Sequence, residues 1–322
     1  MTSVLVLSEG DVRELLDMES CIEAMQDALG ALARDELTMP LRTVFRATES
    51  ELLGLMPAYR GGPAPLFSLK EIVVAPANSQ RGLDPHQGAV LLHDGTTGVL
   101  RAILNASAIT EIRTAAVSAV ATRLLARPGA RRVAILGSGV QGRSHAQAMR
   151  AVIGDAELRV WSPTAAHAEA LALEAHGVVC GSVEEALDGA DVVCTCTAAR
   201  EPIVRRSWLR PGAHVNAVGS SVRAARELET DVIGAASVFV DRRESTLNES
   251  GDWLRAAEEL GLGPEHILAE LGEVIVGAHP GRRDDDELTV FKSLGLAVED
   301  LAAAAFCVER ARERAVGVEV PF

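Results

Sequence analysis

The clearest chemical signal in this sequence is a glycine-containing turn, Gly137-Ser138-Gly139-Val140-Gln141-Gly142, which follows the apolar run Val133–Leu136 and precedes a helical pattern. In that context Gly137 permits a tight turn, Gly139 lets the backbone approach a pyrophosphate, and Gly142 lets helix and strand pack closely. The N–H groups at the start of the helix then face the phosphates. We therefore predict a dinucleotide site here. The alternative is a glycine-rich turn without a ligand.

Lysine is the second chemical signal, because the chain has 29 arginines and only two lysines, Lys70 and Lys292. An arginine keeps its charge, whereas a lysine is a compact ammonium whose pKa falls on burial. Lys70 is therefore a candidate for proton-transfer chemistry that arginine cannot perform, although it could also be half of a surface charge pair. For Lys292 we favour chance retention.

The elements that precede the glycine turn are of mixed type. Apolar residues at helical spacing predict one or two helices over residues 11–34. A small-residue-rich helix is predicted over Ser107–Arg127, with Arg113 near its start, where a cation and the helix N-terminus together favour an anion. Pro128-Gly129 then breaks the chain and marks a domain boundary. Between the helices, period-2 patterns and the Asp94-Gly95 turn signal predict five strands, at 42–47, 52–56, 67–74, 89–94 and 99–104.

After Pro128-Gly129 the pattern alternates regularly between strands and helices. Strands are predicted at 132–136, 157–161, 178–180, 191–197, 214–219 and 237–241, with helices near 141–153, 165–175, 184–188 and 227–233. This alternation indicates an α/β fold, a doubly wound parallel sheet of the Rossmann type, with ligands at the carboxyl ends of its strands. A long helix is predicted over residues 292–316. We expect residues 1–127, joined by the C-terminal helix at 295–322, to form an α+β substrate and dimerisation domain, and residues 128–294 to form the dinucleotide domain.

Composition limits the partners. A chain of 322 residues can bury two cores, and its net charge of −14 argues against a nucleic acid or an anionic membrane surface. The sequence has no apolar run of about 18 residues and no basic, apolar leader at its start, so we expect a cytoplasmic protein. Its five cysteines form no C-x-x-C pair, and we expect neither a disulfide framework nor a metal site.

Several short motifs together resemble one known family, the ornithine cyclodeaminase/μ-crystallin family, and they span nearly the whole chain. They are Met39-Pro40-Leu41-Arg42, Leu55-Met56-Pro57-Ala58-Tyr59, His86-Gln87-Gly88, Arg113-Thr114-Ala115-Ala116-Val117-Ser118, the glycine turn, Asn216-Ala217-Val218-Gly219, Glu249-Ser250-Gly251-Asp252, Glu270-Leu271-Gly272-Glu273 and Thr289-Val290-Phe291-Lys292-Ser293-Leu294-Gly295. The resemblance implies a two-domain homodimer that uses NAD(P) on small amino or imino acids.

The resemblance also implies roles for particular residues. Arg42 and Lys70 match the pair that holds the substrate carboxylate, with the lysine placed to take part in proton transfer. The implied cofactor contacts are Arg113 at a phosphate, Val140 and Gln141 with their backbone on the pyrophosphate, His86 in a loop that approaches from the first domain, and Thr197 and Gly219 at strand ends along the dinucleotide.

Two departures from the family pattern refine the prediction. Where the cyclodeaminases have an aspartate that assists at the substrate amine, this chain has Ser221, which resembles the μ-crystallin (ketimine reductase) branch. A hydroxyl cannot act as a base in place of a carboxylate at neutral pH, so cyclodeamination loses its expected assisting group. About 20 residues past the glycines, where an acid usually bonds the ribose, the chain reads Trp161-Ser162-Pro163-Thr164. The hydroxyls of Ser162 and Thr164 can bind a 2′-phosphate, and no carboxylate stands there to repel it, so we expect NADP(H) to be preferred and NAD(H) to be possible. Alternatively, Ser162 is a helix N-cap.

The function implied is an NAD(P)H-dependent reductase of a small, cyclic 2-imino carboxylate, with Lys70, Arg42 and Ser221 as the residues at the substrate. Two alternatives stay open. One is a cyclodeaminase or amino-acid dehydrogenase that runs the hydride step in the oxidative direction. The other is a nucleotide-dependent binding protein with little turnover.

Overall fold

A computed structural model describes residues 3–48, 51–83 and 86–322 of the chain. Its strands are β1 (Ser3–Leu7), β2 (Leu37–Thr38), β3 (Thr43–Arg46), β4 (Leu52–Arg60), β5 (Leu66–Val74), β6 (His86–Asp94), β7 (Leu100–Asn105), β8 (Arg132–Leu136), β9 (Glu157–Trp161), β10 (Val178–Val179), β11 (Val192–Thr195), β12 (His214–Ala217), β13 (Ser237–Val240), β14 (Ile267–Glu270), β15 (Thr289–Lys292) and β16 (Val318–Pro321). Its helices are α1 (Glu9–Leu15), α2 (Met18–Ala33), α3 (Ala106–Leu125), α4 (Val140–Ile153), α5 (Ala165–Glu174), α6 (Val183–Leu187), α7 (Thr230–Ala235), α8 (Arg243–Glu249), α9 (Gly251–Leu260), α10 (Leu271–Ile275) and α11 (Ala297–Arg314).

The chain divides into two compact units, Met1–Arg113 with Leu296–Phe322, and Thr114–Gly295. The division falls inside α3, and not at Pro128-Gly129, where the sequence places the boundary.

The first unit is built on a mixed sheet in the order β16-β1-β7-β6-β5-β4-β2, with β3 on β4. Along β5, burial alternates: Ser68 and Lys70 lie on the covered face, while Phe67, Glu71 and Val73 lie on the other. Helix α11 packs over β4, β5 and β6 on the covered face and also contacts α2. Because side chains alternate between the two faces of a strand, Lys70 in the middle of the sheet points to the covered face.

The second unit is a parallel sheet in the order β10-β9-β8-β11-β12-β15-β13-β14. Strands β8, β11, β12, β13 and β15 are buried along almost their whole length, which is why they are apolar runs in the sequence. The predicted α/β fold with a parallel sheet is therefore confirmed.

The sequence prediction is wrong around Lys292. This residue ends strand β15, which lies between β12 and β13, and the helix begins five residues later, at Ala297. A run as short as Thr289–Phe291 has no period that identifies it as a strand, so the sequence prediction assigns it to no element and begins the helix at Lys292. Strands β1, β2, β14 and β16 were missed as well.

Across the described residues, no helix has both the length and the apolar character that a bilayer crossing requires.

A candidate nucleotide turn and a buried lysine cluster

The glycine turn lies between β8 and α4 as predicted, and each glycine has a different surrounding. Gly137 has φ +110°, and a Cβ there would collide with the carbonyl oxygen of Cys196. A Cβ on Gly142 would collide with the carbonyl oxygen of Gly137. At Gly139, in contrast, a Cβ would meet no described atom within 4 Å. The backbone at Gly139 is therefore open to a ligand, while the other two glycines hold the turn tight.

The start of helix α4 suits an anion. Its N-cap is Gly139, which has no side chain to satisfy the first N–H groups, and Val140 is 52% exposed. The buried Gln141 Oε1 has no hydrogen-bond partner among the described residues. Free N–H donors at a helix N-terminus bind phosphate groups, so this turn fits the pyrophosphate of a dinucleotide.

Hydroxyl groups lie at the next strand end. Ser138 donates a hydrogen bond to Ser162 over 2.8 Å, which joins the glycine turn to the end of β9. The N-cap of α5 is Thr164 and not Ser162, and its side chain makes no capping bond, so its exposed hydroxyl remains available. Arg143 is paired with Glu174 at 2.9 Å on the surface, a kind of pair that contributes little to stability and exchanges partners easily.

The structure brings Thr197 and Gly219 to the same edge as Gly137. A Cβ on Gly137 would meet the side chain of Thr197, and a Cβ on Gly219 would meet its backbone. Strands β8, β11 and β12 are neighbours, so their carboxyl ends form one ledge. The buried carboxylate of Glu227 fixes that ledge: it accepts bonds from the Thr197 N–H at 2.8 Å and the Thr197 hydroxyl at 2.7 Å.

A second buried acid supports the first. Asp252 accepts hydrogen bonds from the backbone N–H groups of Glu227 and Leu228, and an ion pair of 3.0 Å joins it to Lys292 Nζ. Burial raises the pKa of Glu227, and the positive charge of Lys292 opposes that rise. Lys292 is thus a structural cation under the ledge, and chance retention does not describe it.

In the first unit, Lys70 occupies the centre of a buried ion cluster. Its Nζ lies 2.8 Å from Asp300 Oδ2 and donates to the Thr110 hydroxyl at 3.4 Å. Burial lowers the pKa of Lys70 to about 8, the Asp300 charge opposes the fall, and the charges of Arg113 and Arg42 add to it. An ammonium has three donors, and the described residues offer Lys70 two acceptors. A lysine with this pKa exchanges a proton readily near neutral pH.

Arg113 lies in the same cluster. Its Nε donates to Asp300 Oδ1 at 3.0 Å and its Nη1 to Glu299 Oε2 at 2.8 Å, with 4% of its side chain exposed. The guanidinium therefore faces carboxylates in this structure. Its predicted contact with a cofactor phosphate stays a prediction.

The other sequence candidates lie in distinct places. Arg42 is half-buried just before β3, and its positive charge contributes to the lowered pKa of Lys70. Ser221 is half-buried in the loop after β12. His86 is the exposed first residue of β6, not a loop residue, and its carbonyl accepts a bond from Ser107 at 2.5 Å.

Sequence reasoning missed four acids that fix these groups, namely Glu227, Asp252, Glu299 and Asp300. Each is fully buried, at 0% exposure. The signal that could have found the last two is their position, because adjacent acids in an otherwise apolar stretch from Leu294 to Ala305 need buried partners.

Comparison with known proteins gives consistent results. The model of the Ornithine cyclodeaminase/mu-crystallin family matches residues 2–315. Ketimine reductase mu-crystallin of Mus musculus is 44% identical over 82% of this chain and 82% of its own length. Delta(1)-pyrroline-2-carboxylate reductase of Thermococcus litoralis, solved with NADH and L-proline, is 34% identical over 98% of this chain and 100% of its own, with a TM-score of 0.93. An archaeal alanine dehydrogenase dimer with bound NAD is 29% identical over 100% of both chains, with a TM-score of 0.94.

Proposed function

Because the chain belongs to the ornithine cyclodeaminase/mu-crystallin family, we propose that it reduces a small, cyclic 2-imino carboxylate to the corresponding amino acid, with NADPH or NADH as the hydride source. The observation that carries this proposal is the buried ammonium of Lys70, which is held by Asp300 and is affected by the charge of Arg42. The similarity to a ketimine reductase and to a pyrroline-2-carboxylate reductase supports it.

Arg42 and Lys70 have different roles toward the substrate. The guanidinium of Arg42 has a fork that matches a carboxylate, and it fixes the orientation of the substrate. Lys70 supplies the proton of the substrate nitrogen, because a protonated imine accepts hydride far better than a neutral one. A reduced nicotinamide would supply the hydride, and the glycine turn would hold the pyrophosphate of that cofactor. One hydride and one proton added to the C=N bond give the amine, so the reaction balances.

Ser221 favours reduction over cyclodeamination. Its hydroxyl cannot serve as a carboxylate base at neutral pH, so the release of ammonia from a diamino acid has no acid at this position to assist it. Ser221 itself is proposed to contact the substrate.

The test of the function is cofactor oxidation by the purified protein. We expect NADPH or NADH to be consumed with Δ1-piperideine-2-carboxylate or Δ1-pyrroline-2-carboxylate. No turnover with any of a panel of cyclic and linear imines would reject the proposal. Ammonia release from ornithine or lysine would instead identify a cyclodeaminase, and tight nucleotide binding without any turnover would identify a binding protein.

The cofactor preference is proposed to be for NADPH, with NADH accepted. The end of β9 presents Ser162, in contact with Ser138, and the exposed hydroxyl of Thr164, with no carboxylate to repel a 2′-phosphate. The solved relatives that carry NADH or NAD leave the 2′-phosphate preference to experiment.

Ser162→Asp is expected to shift the preference toward NADH. The new carboxylate repels a 2′-phosphate and accepts a bond from a 2′-hydroxyl, and a charged hydrogen bond of about 1.5–3 kcal/mol changes the ratio of kcat/KM for NADPH and NADH by about 10- to 100-fold. Ser162→Ala is the matched control, which loses the bond to Ser138 without adding charge and should leave the ratio nearly unchanged. Equal ratios in both variants would show that the end of β9 does not contact the ribose.

A homodimer is proposed through the uncovered face of the sheet in the first unit. Phe45, Phe67 and Val73 lie exposed there, with Leu69 half-buried among them, and a contiguous apolar patch of this kind is typical of an interface. Sedimentation velocity at micromolar concentration should give twice the chain mass, and Phe67→Glu should give a monomer. A monomeric wild-type protein would contradict the proposal.

A further inference from the structure

Asp300 is anchored from two sides by different cations. Its Oδ2 lies 2.8 Å from Lys70 Nζ, and its Oδ1 accepts a bond of 3.0 Å from Arg113 Nε. Arg113 is itself held by Glu299, at 2.8 Å from Nη1. None of these four side chains is more than 4% exposed. The carboxylate of Asp300 therefore has little freedom to move away from Lys70.

The charges of this cluster balance. Two acids on α11, Glu299 and Asp300, face two cations, Lys70 on β5 and Arg113 on α3. A further cation acts on Lys70 from the segment before β3, namely Arg42. The charge of Arg42 thus acts on Lys70 as well, and the forked guanidinium of Arg42 matches the shape of a carboxylate.

Lys70 in contrast already has its counter-ion. Glu71, the neighbouring acid on β5, is exposed on the opposite face of the sheet and does not take that place. An ammonium that is neutralised in advance gains little from a second carboxylate, so its remaining donor is suited to the substrate nitrogen.

We propose that Asp300 is a positioning residue for the reaction: it fixes the Lys70 ammonium and supplies the counter-charge that keeps it protonated. This inference rests on the proposed function for its catalytic part. Its physical part, that the pKa of Lys70 depends on the charge of Asp300, can be tested whether or not the protein reduces an imine. A merely structural ion pair would also raise the pKa of Lys70, but its loss would leave kcat and the pH dependence of kcat in place.

The two-lysine composition makes a direct test possible. Protein labelled with [ε-¹³C]lysine gives two side-chain signals, from Lys70 and Lys292, and the one lost in Lys70→Arg is that of Lys70. In the wild type we expect this signal to titrate near pH 8, where burial places its pKa. In Asp300→Asn the counter-charge is gone, so the titration moves to lower pH by about one to three pH units.

Activity gives the second readout. When Lys70 acts as the acid, kcat falls as the pH rises through the pKa of Lys70, which gives the pH profile of kcat an alkaline limb. In Asp300→Asn we expect this limb to move to lower pH together with the NMR titration of Lys70. KM for the imino acid stays close to that of the wild type, because Arg42 binds the carboxylate. Glu299→Gln is the matched control on the same helix; the ion pair of Glu299 is with Arg113, so the Lys70 titration should move much less.

The outcomes separate the two proposals. If the wild type reduces no imine, the proposed function fails, and the NMR titration still tests the link from Asp300 to Lys70. If the wild type reduces imines but Asp300→Asn leaves both the Lys70 titration and the kcat limb in place, the inference is overturned. Should Asp300→Asn not fold, Asp300→Glu replaces it: the charge is kept but displaced, so kcat should fall at least tenfold with Lys70 still protonated at pH 7. An unchanged kcat in Asp300→Glu would also overturn it.

Discussion

Replacing Lys70 by methionine is expected to lower kcat for imine reduction by about 10²- to 10⁴-fold, the range that general acid–base groups contribute. Lys70 is the buried ammonium at the centre of the cluster with Asp300, and burial lowers its pKa to about 8. Methionine has a similar length but carries no proton, so the substrate nitrogen loses its donor. Steady-state kinetics at pH 7 measure the effect, and circular dichroism verifies that the variant is folded.

Lys70→Arg is the control for charge. It retains a cation opposite Asp300, but arginine does not give up its proton at working pH, so we expect a loss of kcat of similar size. Arg42→Gln is the control for binding: the loss of one charged contact should raise KM for the imino acid far more than it lowers kcat. Nucleotide affinity, measured by fluorescence quenching, should be unchanged in all three variants. A Lys70→Arg enzyme within tenfold of the wild-type kcat would rule out proton transfer by Lys70.

Replacing Lys292 by methionine is expected to lower the free energy of unfolding of the second unit by about 3–5 kcal/mol. The substitution removes the buried partner of Asp252, whose side chain is 0% exposed, and leaves its charge without a cation. For a unit of this size the loss corresponds to a fall in Tm of about 10 °C. Differential scanning calorimetry or denaturant unfolding measures the change.

Arg255→Met, on helix α9 with Asp252, is the matched control. Its ion pair with Glu258 is exposed on both sides, and such pairs contribute about 0–1 kcal/mol. A loss below about 1 kcal/mol in Lys292→Met would show that the buried pair is not needed for stability, and Lys292 would then need another explanation.

Local patterns were enough to predict several features of this protein. The glycine turn and the parallel α/β sheet follow from neighbouring residues, through glycine spacing and apolar runs, and the scarcity of lysine draws attention to Lys70, whose role stays a prediction. Such features depend on backbone conformation and on periods of two or about four residues, which a short stretch of sequence carries by itself.

Ion pairs and strand neighbours that are far apart in the sequence could not be predicted from it. The partner of Lys70 is 230 positions away, and that of Lys292 lies 40 positions before it, in another element. Strand β15 could not be placed either, because its position between β12 and β13 is decided by the sheet as a whole. Opposite charges attract at any sequence separation once both are buried, so only the tertiary structure decides which acid neutralises which lysine. The sequence by itself therefore determined which residue types are available for chemistry, and the fold decided that Asp300 and Asp252 are the acids that hold the two lysines in place.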